Sequence, residues 1–340
     1  MSEESKELRR KRHDRAWPLY GAAFMMAVSL SMAWTAMPFV LSSMGGTSAH
    51  VGYAPAANNF AYLIALLVTG SRFGHLRVRR TTLSAGTVAL FATATMCLSA
   101  RWTRWFPESG GPLWIWALIA AGGVGGAAMA LYWPFLMSWV SADYEGVRLN
   151  RRFGRYNGAW SGGGIIGPLI GGRLFEVNAV LPLLAAVVSV LLSLLLLRFG
   201  RDGSTARNLS ADRESADGEP GSGVAPAPLD APSAVATHSV AYDPRLLSDC
   251  RWVSRIALFS ACICFAVVRS QFALVFRGLG YAERQFGMYL TIYALCNFAA
   301  LVAAGRWALW HFKPALLIVG QALLLLMLLL TIYGRTLSVF

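Results

Sequence analysis

Charge is scarce in this sequence and unevenly placed. Only 14% of the 340 residues are charged, and no Asp or Glu falls in the middle of a long apolar stretch; Asp143 and Glu176 lie at the edges of such stretches. That leaves no obvious proton carrier inside the apolar segments and no paired-carboxylate chemistry. No His-x-x-x-His pair and no nucleophile elbow stands on them either. This argues against an embedded hydrolase or prenyl transferase, and no cofactor or metal is expected. The five cysteines, Cys97, Cys250, Cys262, Cys264 and Cys296, lack the paired spacing of an extracellular disulfide framework. Cys262 and Cys264 are two apart and point in different directions on a helix, so they read as apolar packing residues. After the charged start MSEESKELRRKRHDRA there is no small-residue cleavage site, and the apolar run is too long for a secretory signal, so it reads as an uncleaved span.

What the sequence has in abundance is apolar length. It is 56% hydrophobic with a mean hydropathy of +0.50. Nine stretches are each long enough to cross a hydrocarbon core of about 30 Å at about 1.5 Å per residue. They are Trp17 to Val40, Ala54 to Phe73, Thr82 to Ala100, Leu113 to Trp139, Tyr156 to Phe175, Ala179 to Arg198, Ile256 to Phe276, Arg284 to Gly305 and Lys313 to Tyr333. The predicted fold class is therefore all-α, a polytopic transmembrane helical bundle.

A net charge of +13 invites nucleic acid as a partner, but its distribution points to the lipid bilayer instead. With the N-terminus in the cytoplasm, 23 of the 30 Lys and Arg residues fall on cytoplasmic segments. This is the positive-inside asymmetry, and it predicts an N-in orientation.

Four segments follow: a basic N-terminus over 1–16, a six-span unit over 17–198, a linker over 199–255 and a partial unit of three spans over 256–340. The linker is rich in Pro, Ala, Ser, Gly and Asp and buries too little apolar surface to fold. Six spans, a polar linker and a second bundle is the order of transporters built from two parallel halves, each of two inverted three-span repeats. Six plus three leaves the second unit half complete. The chain is expected to be part of a longer one.

Glycine is concentrated in the fifth span, GRYNGAWSGGGIIGPLIGG, Gly154 to Gly172. A phosphate-cradling loop would need a preceding strand or a partner lysine, and neither is present. In lipid, small residues let two helix backbones touch. Gly163, Gly167 and Gly171 recur every four residues, Gly158 and Gly162 add a second small face, and Pro168 bends the helix by removing one backbone hydrogen bond. Such a groove is either a packing surface or a sliding contact. A fourth-span run, GGVGGAAMA from Gly122, contains a dinucleotide-type pattern without the required strand or distal acid, and reads as helix packing.

The spacing Gly154, Gly163, Gly167-Pro168, Gly171-Gly172 resembles the fifth-helix "antiporter" motif of the major facilitator superfamily, G-x8-G-xxx-GP-xx-GG, at every fixed position. SRFGHLRVRR, from Ser71, resembles the family's loop between spans two and three. Arg72 and Gly74 match its arginine and glycine, whereas Ser71 and His75 depart from its acidic residue and second arginine. A basic stop-transfer cluster facing anionic lipid is the other reading of that loop. Arg306-Trp307 and Lys313 echo Arg72-Phe73 and Arg79 in the second unit.

The resemblance implies a secondary transporter of the inner membrane that moves a small organic solute, with or without a coupling ion, by alternating access. In the family a single chain usually suffices; the sequence leaves the oligomeric state open. The family's drug exporters carry an arginine early in the fourth span, where this chain has Leu118, Ile119 and Ala120. Two alternatives stand beside the main reading: a proton-coupled drug or organic-solute antiporter, and a transport-inactive scaffold or sensor.

Polar side chains inside spans are costly and mark candidate solute paths. These are Asn58, Asn59 and Tyr62 in the second span, Arg269 and Gln271 in the seventh and Asn297 in the eighth. The resemblance places spans one, four and seven around a central cavity, which adds Trp34, Tyr132 and Trp133. Arg269 either meets an anionic solute or a carboxylate, or snorkels to the outer surface. The gating set is Arg72, Gly74, Gly154, Gly163, Gly167, Pro168, Gly171 and Gly172, with the glycine groove as the sliding seam. On this expectation Gly167→Leu blocks transport and spares membrane insertion.

Overall fold

The computed structural model describes residues 16–69, 77–106, 111–142, 146–200, 266–267, 269–306 and 314–333. The basic N-terminus, the loop with Arg72 and Gly74, the middle linker and the start of the seventh span lie outside the described residues. The helices are α1 (Trp17–Ser43), α2 (Ser48–Thr69), α3 (Val78–Trp105), α4 (Gly111–Ser141), α5 (Gly146–Val177), α6 (Leu181–Arg198), a described part of α7 over 269–278, α8 (Glu283–Arg306) and α9 (Pro314–Tyr333). Among the described residues there is no strand.

Several helices overrun their apolar stretches. α5 starts at Gly146, well before Tyr156, and α3 runs on to Trp105. The hydrocarbon slab limits where polar side chains sit, not where helical hydrogen bonding stops. The Arg-rich opening turns of α5 therefore continue the helix beyond its apolar part. Among the described residues, α1, α2, α3, α4 and α6 are long and apolar enough to cross a membrane by composition alone. α5 is not among them, because its glycines, Asn157 and Arg173 dilute it; packing gives it its place.

α1 lies along α5 and α6, α4 lies along α2 and α3, and α3 also meets α6. This pattern maps onto itself when α1, α2 and α3 are exchanged for α4, α5 and α6. The pair α1/α5 becomes α4/α2, and α3/α4 becomes α6/α1. Three spans per repeat is an odd number, so the two repeats cross the membrane in opposite directions, as inverted repeats do.

Glycine on the second repeat permits both of the first exchanged pairs. A Cβ at Gly163 would fall 2.5 Å from the Phe24 carbonyl oxygen and 2.7 Å from Ala27 Cβ on α1. One at Gly126 would run into the backbone carbonyl of Asn58 on α2. The GGVGG run is thus a packing surface, as its sequence context implied.

Serine hydroxyls add polar links between helices. Ser29 Oγ donates to Ala186 O at 2.9 Å and Ser193 Oγ to Ala22 O at 2.9 Å, while Ser31 Oγ donates to Ala27 O of its own helix at 2.6 Å and reaches Gly163 O at 3.1 Å. Tyr132 Oη lies 2.9 Å from Ser193 Oγ. Tyr132→Phe removes this last contact without a volume change and is expected to cost about 0.5–1 kcal/mol. Ser193→Ala breaks both of its bonds and is expected to cost more. Thermal unfolding in detergent ranks the two, and the reverse order would contradict the network.

The turns joining α1 to α2 and α7 to α8 are built alike. In the first, Gly45 adopts φ +83° and Gly46 N–H donates to Leu41 O at 2.8 Å. In the second, Gly280 adopts φ +79° and Tyr281 N–H donates to Phe276 O at 2.9 Å. Both are left-handed helix ends that favour glycine. The next helix then opens with a side chain reaching back to the capping N–H: His50 Nδ1 accepts from Thr47 N at 3.1 Å, and Gln285 Oε1 accepts from Ala282 N at 2.8 Å. Every pair of equivalent residues is 235 apart, the separation of Ser42 and Arg277. The two units thus repeat in atomic detail at these turns.

Candidate functional site

The site is the contact between the α1–α6 bundle and the α7–α8 pair. It is densest at the end of the molecule that carries Ser42 and Arg277. These two residues hold equivalent positions in the two turns, and Arg277 Nη1 donates to Ser42 Oγ at 2.9 Å. A contact between equivalent positions of two repeats lies on their pseudo-two-fold axis.

Beneath that contact is an aromatic cluster drawn from four helices. Phe39 of α1 sits 5.5 Å, ring centre to ring centre, from Phe175 of α5 and 5.5 Å from Phe286 of α8. Phe286 meets Phe276 of α7 edge-on at 5.5 Å, and Tyr281 closes over Phe276 at 5.6 Å. One helical turn deeper, Phe272 stacks on Tyr289 at 6.1 Å. Phe39, Phe276 and Phe286 are almost completely buried. Rings in tilted and edge-on contact gain beyond their area burial, and together they fill this end of the contact between the units.

Beside the rings, α5 and α8 touch backbone to backbone. A Cβ at Gly287 would fall 2.5 Å from Pro168 O and 3.1 Å from Gly172 Cα; one at Gly172 would fall 3.0 Å from Glu283 O. Thr291 Oγ1 donates to Gly287 O at 2.9 Å and reaches Ile165 O at 3.2 Å, across the seam. Ile165 lies within the turn that Pro168 distorts, so α8 supplies a hydroxyl where the proline loosens backbone bonding.

This divides the expected sliding seam between two faces. Gly163, Gly167 and Gly171 face α1 inside one bundle: a Cβ at Gly167 would overlap Ser31 Oγ and stand 2.8 Å from Val28 O, and one at Gly171 would stand 3.0 Å from Met32 O. The three glycines expected in a sliding seam thus pack closely against α1. Pro168 and Gly172 are the members that face the other unit. Gly154 and Gly158 have no atom within 4 Å of an added Cβ. Arg72 and Gly74 lie outside the described residues.

The candidate path residues also separate. Tyr132 is fully buried in the core between α4, α3 and α6, so it lines no cavity. Its hydroxyl, polar enough to suggest a solute contact, is used by Ser193. Asn58 Nδ2 donates to Gly122 O at 2.9 Å and ties α2 to α4. Trp34 is half-buried against the same core as Leu118, beside Gly122. Tyr62 and Trp133 pack on the core around Tyr132, with Trp133 edge-on to Trp160 of α5 at 6.4 Å. Asn59 and Asn297 are exposed. Gln271 comes within 3.4 Å of an added Cβ at Gly52 of α2, so it too lies between the units. Arg269 is half-buried with its Nε fully covered.

The sequence reading missed the aromatic cluster, because Phe in an apolar span looks like ordinary lipid-facing sequence. The usable signal was Phe272 and Phe276, four apart on one helical face, with Phe286 and Tyr289 three apart on the next helix.

The family profile described as Major Facilitator Superfamily matches residues 19–340. No curated protein matches the sequence. Among solved structures, the crystal structure of a D-xylose-proton symporter aligns with a TM-score of 0.56 and 12% identity, covering 85% of this chain and 67% of that one. At that identity the likeness speaks to fold alone, and it agrees with the helical bundle and its repeats. Profile, bundle and fold likeness together identify a multi-pass membrane protein of the secondary-transporter class: the chain belongs to the major facilitator superfamily.

Proposed function

We propose that this chain carries a small organic solute across the cytoplasmic membrane by alternating access, with its N-terminus in the cytoplasm. Residues 17–198 then form one rocking unit, residues 256–340 belong to the second, and residues 199–255 join them. With that orientation α1 and α5 run outward, and the Ser42 end faces outside. The single observation that carries the reading is the aromatic seal at that end, with Phe39, Phe276 and Phe286 joining both units. It supports an outward-closed state. Opening outward separates Phe39 from Phe286, breaks the Arg277 to Ser42 hydrogen bond and lifts Gly287 away from Gly172.

The test is a double variant, Phe39→Cys with Phe286→Cys, treated with a short thiol-to-thiol cross-linker in proteoliposomes. Cross-linking is expected to stop solute exchange, and cleaving the linker is expected to restore it. Full exchange by the cross-linked protein would sink the reading. A proton-coupled antiporter is the second reading, favoured by the match from Gly154 to Gly172. It predicts that a protonophore collapses accumulation, which uncoupled transport would survive.

A further inference from the structure

We propose that His50 is a proton-binding site through which acid on the outer side loosens the outer gate. This rests on the orientation and transport cycle proposed above and adds a regulation to that same gate.

The sequence T-S-A-H from Thr47 puts His50 third in α2, where a capping box carries a Glu or Gln that reaches back to the N–H before the helix. In the second turn Gln285 does this with an amide oxygen. In the first turn the acceptor is a ring nitrogen: His50 Nδ1 lies 3.1 Å from Thr47 N and 2.9 Å from Thr47 Oγ1. A backbone N–H can only donate, so Nδ1 carries a lone pair and the proton of the neutral ring sits on Nε2. A second proton would occupy Nδ1 and set one N–H against the other. The capping bond is then lost.

Imidazole is the side chain that ordinarily changes charge between about pH 5 and 8. The rings beside it hold it in place without an ion pair. Trp116 of α4 lies edge-on at 5.3 Å and Tyr53 of α2 edge-on at 6.4 Å, and these two stack on each other at 5.7 Å. The helices that meet at this turn, α1, α2 and α4, carry no Asp, Glu, Lys or Arg, and His50 is their only histidine. Their other tyrosines, Tyr20, Tyr62 and Tyr132, stand about three turns or more away along those helices. From α7, Arg277 is the cation at this turn, and it donates to Ser42 Oγ.

The capped turn is also where α1 and α2 touch α7. Ser42 accepts from Arg277 before the turn, and Gly52, just after it, has Gln271 Nε2 at 3.4 Å from an added Cβ. Leu41, Met44 and Val51 share one buried cluster across the turn, so both helix ends move with it. Protonation of His50 therefore acts on both contacts to α7. Gln285 has no proton to take, so the second turn keeps its cap at every pH.

Hydrogen–deuterium exchange of the full chain in proteoliposomes, at about pH 5.5 and about pH 8, tests this, with each rate divided by the intrinsic amide rate at that pH. Peptides covering residues 41–52 are expected to exchange about fivefold faster at the lower pH, the size of losing one helix cap. Those covering residues 276–285 are expected to follow, as the Arg277 contact releases. His50→Gln, which copies the second turn, is expected to abolish the pH response of both while keeping the protection seen at the higher pH. A pH response that survives His50→Gln would overturn the proposal, as would its absence from the unsubstituted chain. A response confined to residues 41–52 would overturn the role in the gate. Successful Phe39/Phe286 locking with exchange that ignores pH would remove the proton site and leave alternating access standing; failure of the locking test alone would remove the transport cycle.

Discussion

Gly287→Leu is expected to abolish solute exchange while the six-helix bundle stays folded. The hydrogen of Gly287 occupies a notch whose walls are backbone atoms, Pro168 O at 2.5 Å and Gly172 Cα at 3.1 Å from any added Cβ. Backbone inside a packed helix pair gives way less readily than the end of a side chain. A leucine there must push α8 off α5. Overpacking of this kind costs about 1–3 kcal/mol. The penalty applies only to the state in which α5 and α8 touch, so it shifts the conformational balance away from that state by roughly 5- to 150-fold. The seal rests on the same approach: Phe286 reaches Phe39 only while Gly287 sits on Gly172. Two measurements check this. Exchange in proteoliposomes should fall by at least about fivefold, and cross-linking of the Phe39→Cys, Phe286→Cys pair should fall with it. The melting transition of the protein should move little. Retained exchange with undiminished cross-linking would show that α8 does not bear on α5 through this glycine.

The second large effect is opposite in kind. Gly167→Leu is expected to damage the fold itself. An added side chain at 167 meets Ser31 Oγ and Val28 O of α1, and Ser31 Oγ also reaches Gly163 O at 3.1 Å. Both helices belong to one bundle and remain in contact in every step of a rocking cycle. The strain is therefore present in all states, and no movement relieves it. The expected loss is about 3 kcal/mol, the upper end for overpacking, because the leucine meets backbone as well as the Ser31 hydroxyl. Lower accumulation in the membrane and a melting temperature several degrees down would show it. Gly158→Leu is the internal control, since nothing lies within 4 Å of its added Cβ, and it should leave both quantities nearly unchanged. Since leucine forms helix better than glycine, equal loss from both variants would mean that contact with α1 is not what limits residue size along this span.

Gly167 and Gly172, the α5 residues behind these two effects, lie on one helix in a glycine run five turns long, and their sequence contexts are alike. Small residues at a four-residue period announce that a helix touches something closely. They do not say what. The period marks a face of the helix, and α5 turned out to have two small faces, one toward α1 and one toward α8. The polar candidates divided for the same reason. Asn58 was singled out as a polar group in an apolar span and Tyr132 because the resemblance puts the fourth span beside a central cavity; each has its partner, Gly122 O and Ser193 Oγ, inside the bundle. A solute would have satisfied either group equally well.

One long-range feature was legible in part. Arg306-Trp307 and Lys313 echo Arg72-Phe73 and Arg79, and the turns at Gly45 and Gly280 repeat at nearly the same interval, 235 residues. Only glycine is shared between those turns, and His50 plays the part of Gln285 with a different functional group. Repetition at the level of hydrogen bonds therefore outlasted repetition at the level of residues. Backbone geometry constrains where an acceptor stands more tightly than it constrains which side chain supplies it.

What the sequence determined by itself was the solvent and the local geometry. Long apolar runs require helices that satisfy their own hydrogen bonds in lipid, and glycine every fourth residue requires close approach. What only the tertiary structure decided was the azimuth of each helix: that Gly167 packs against α1 while Gly172 meets α8, and that phenylalanines far apart in the chain converge into one cluster. A helix presents every side chain to some direction, and which direction holds a neighbour depends on all the other helices at once.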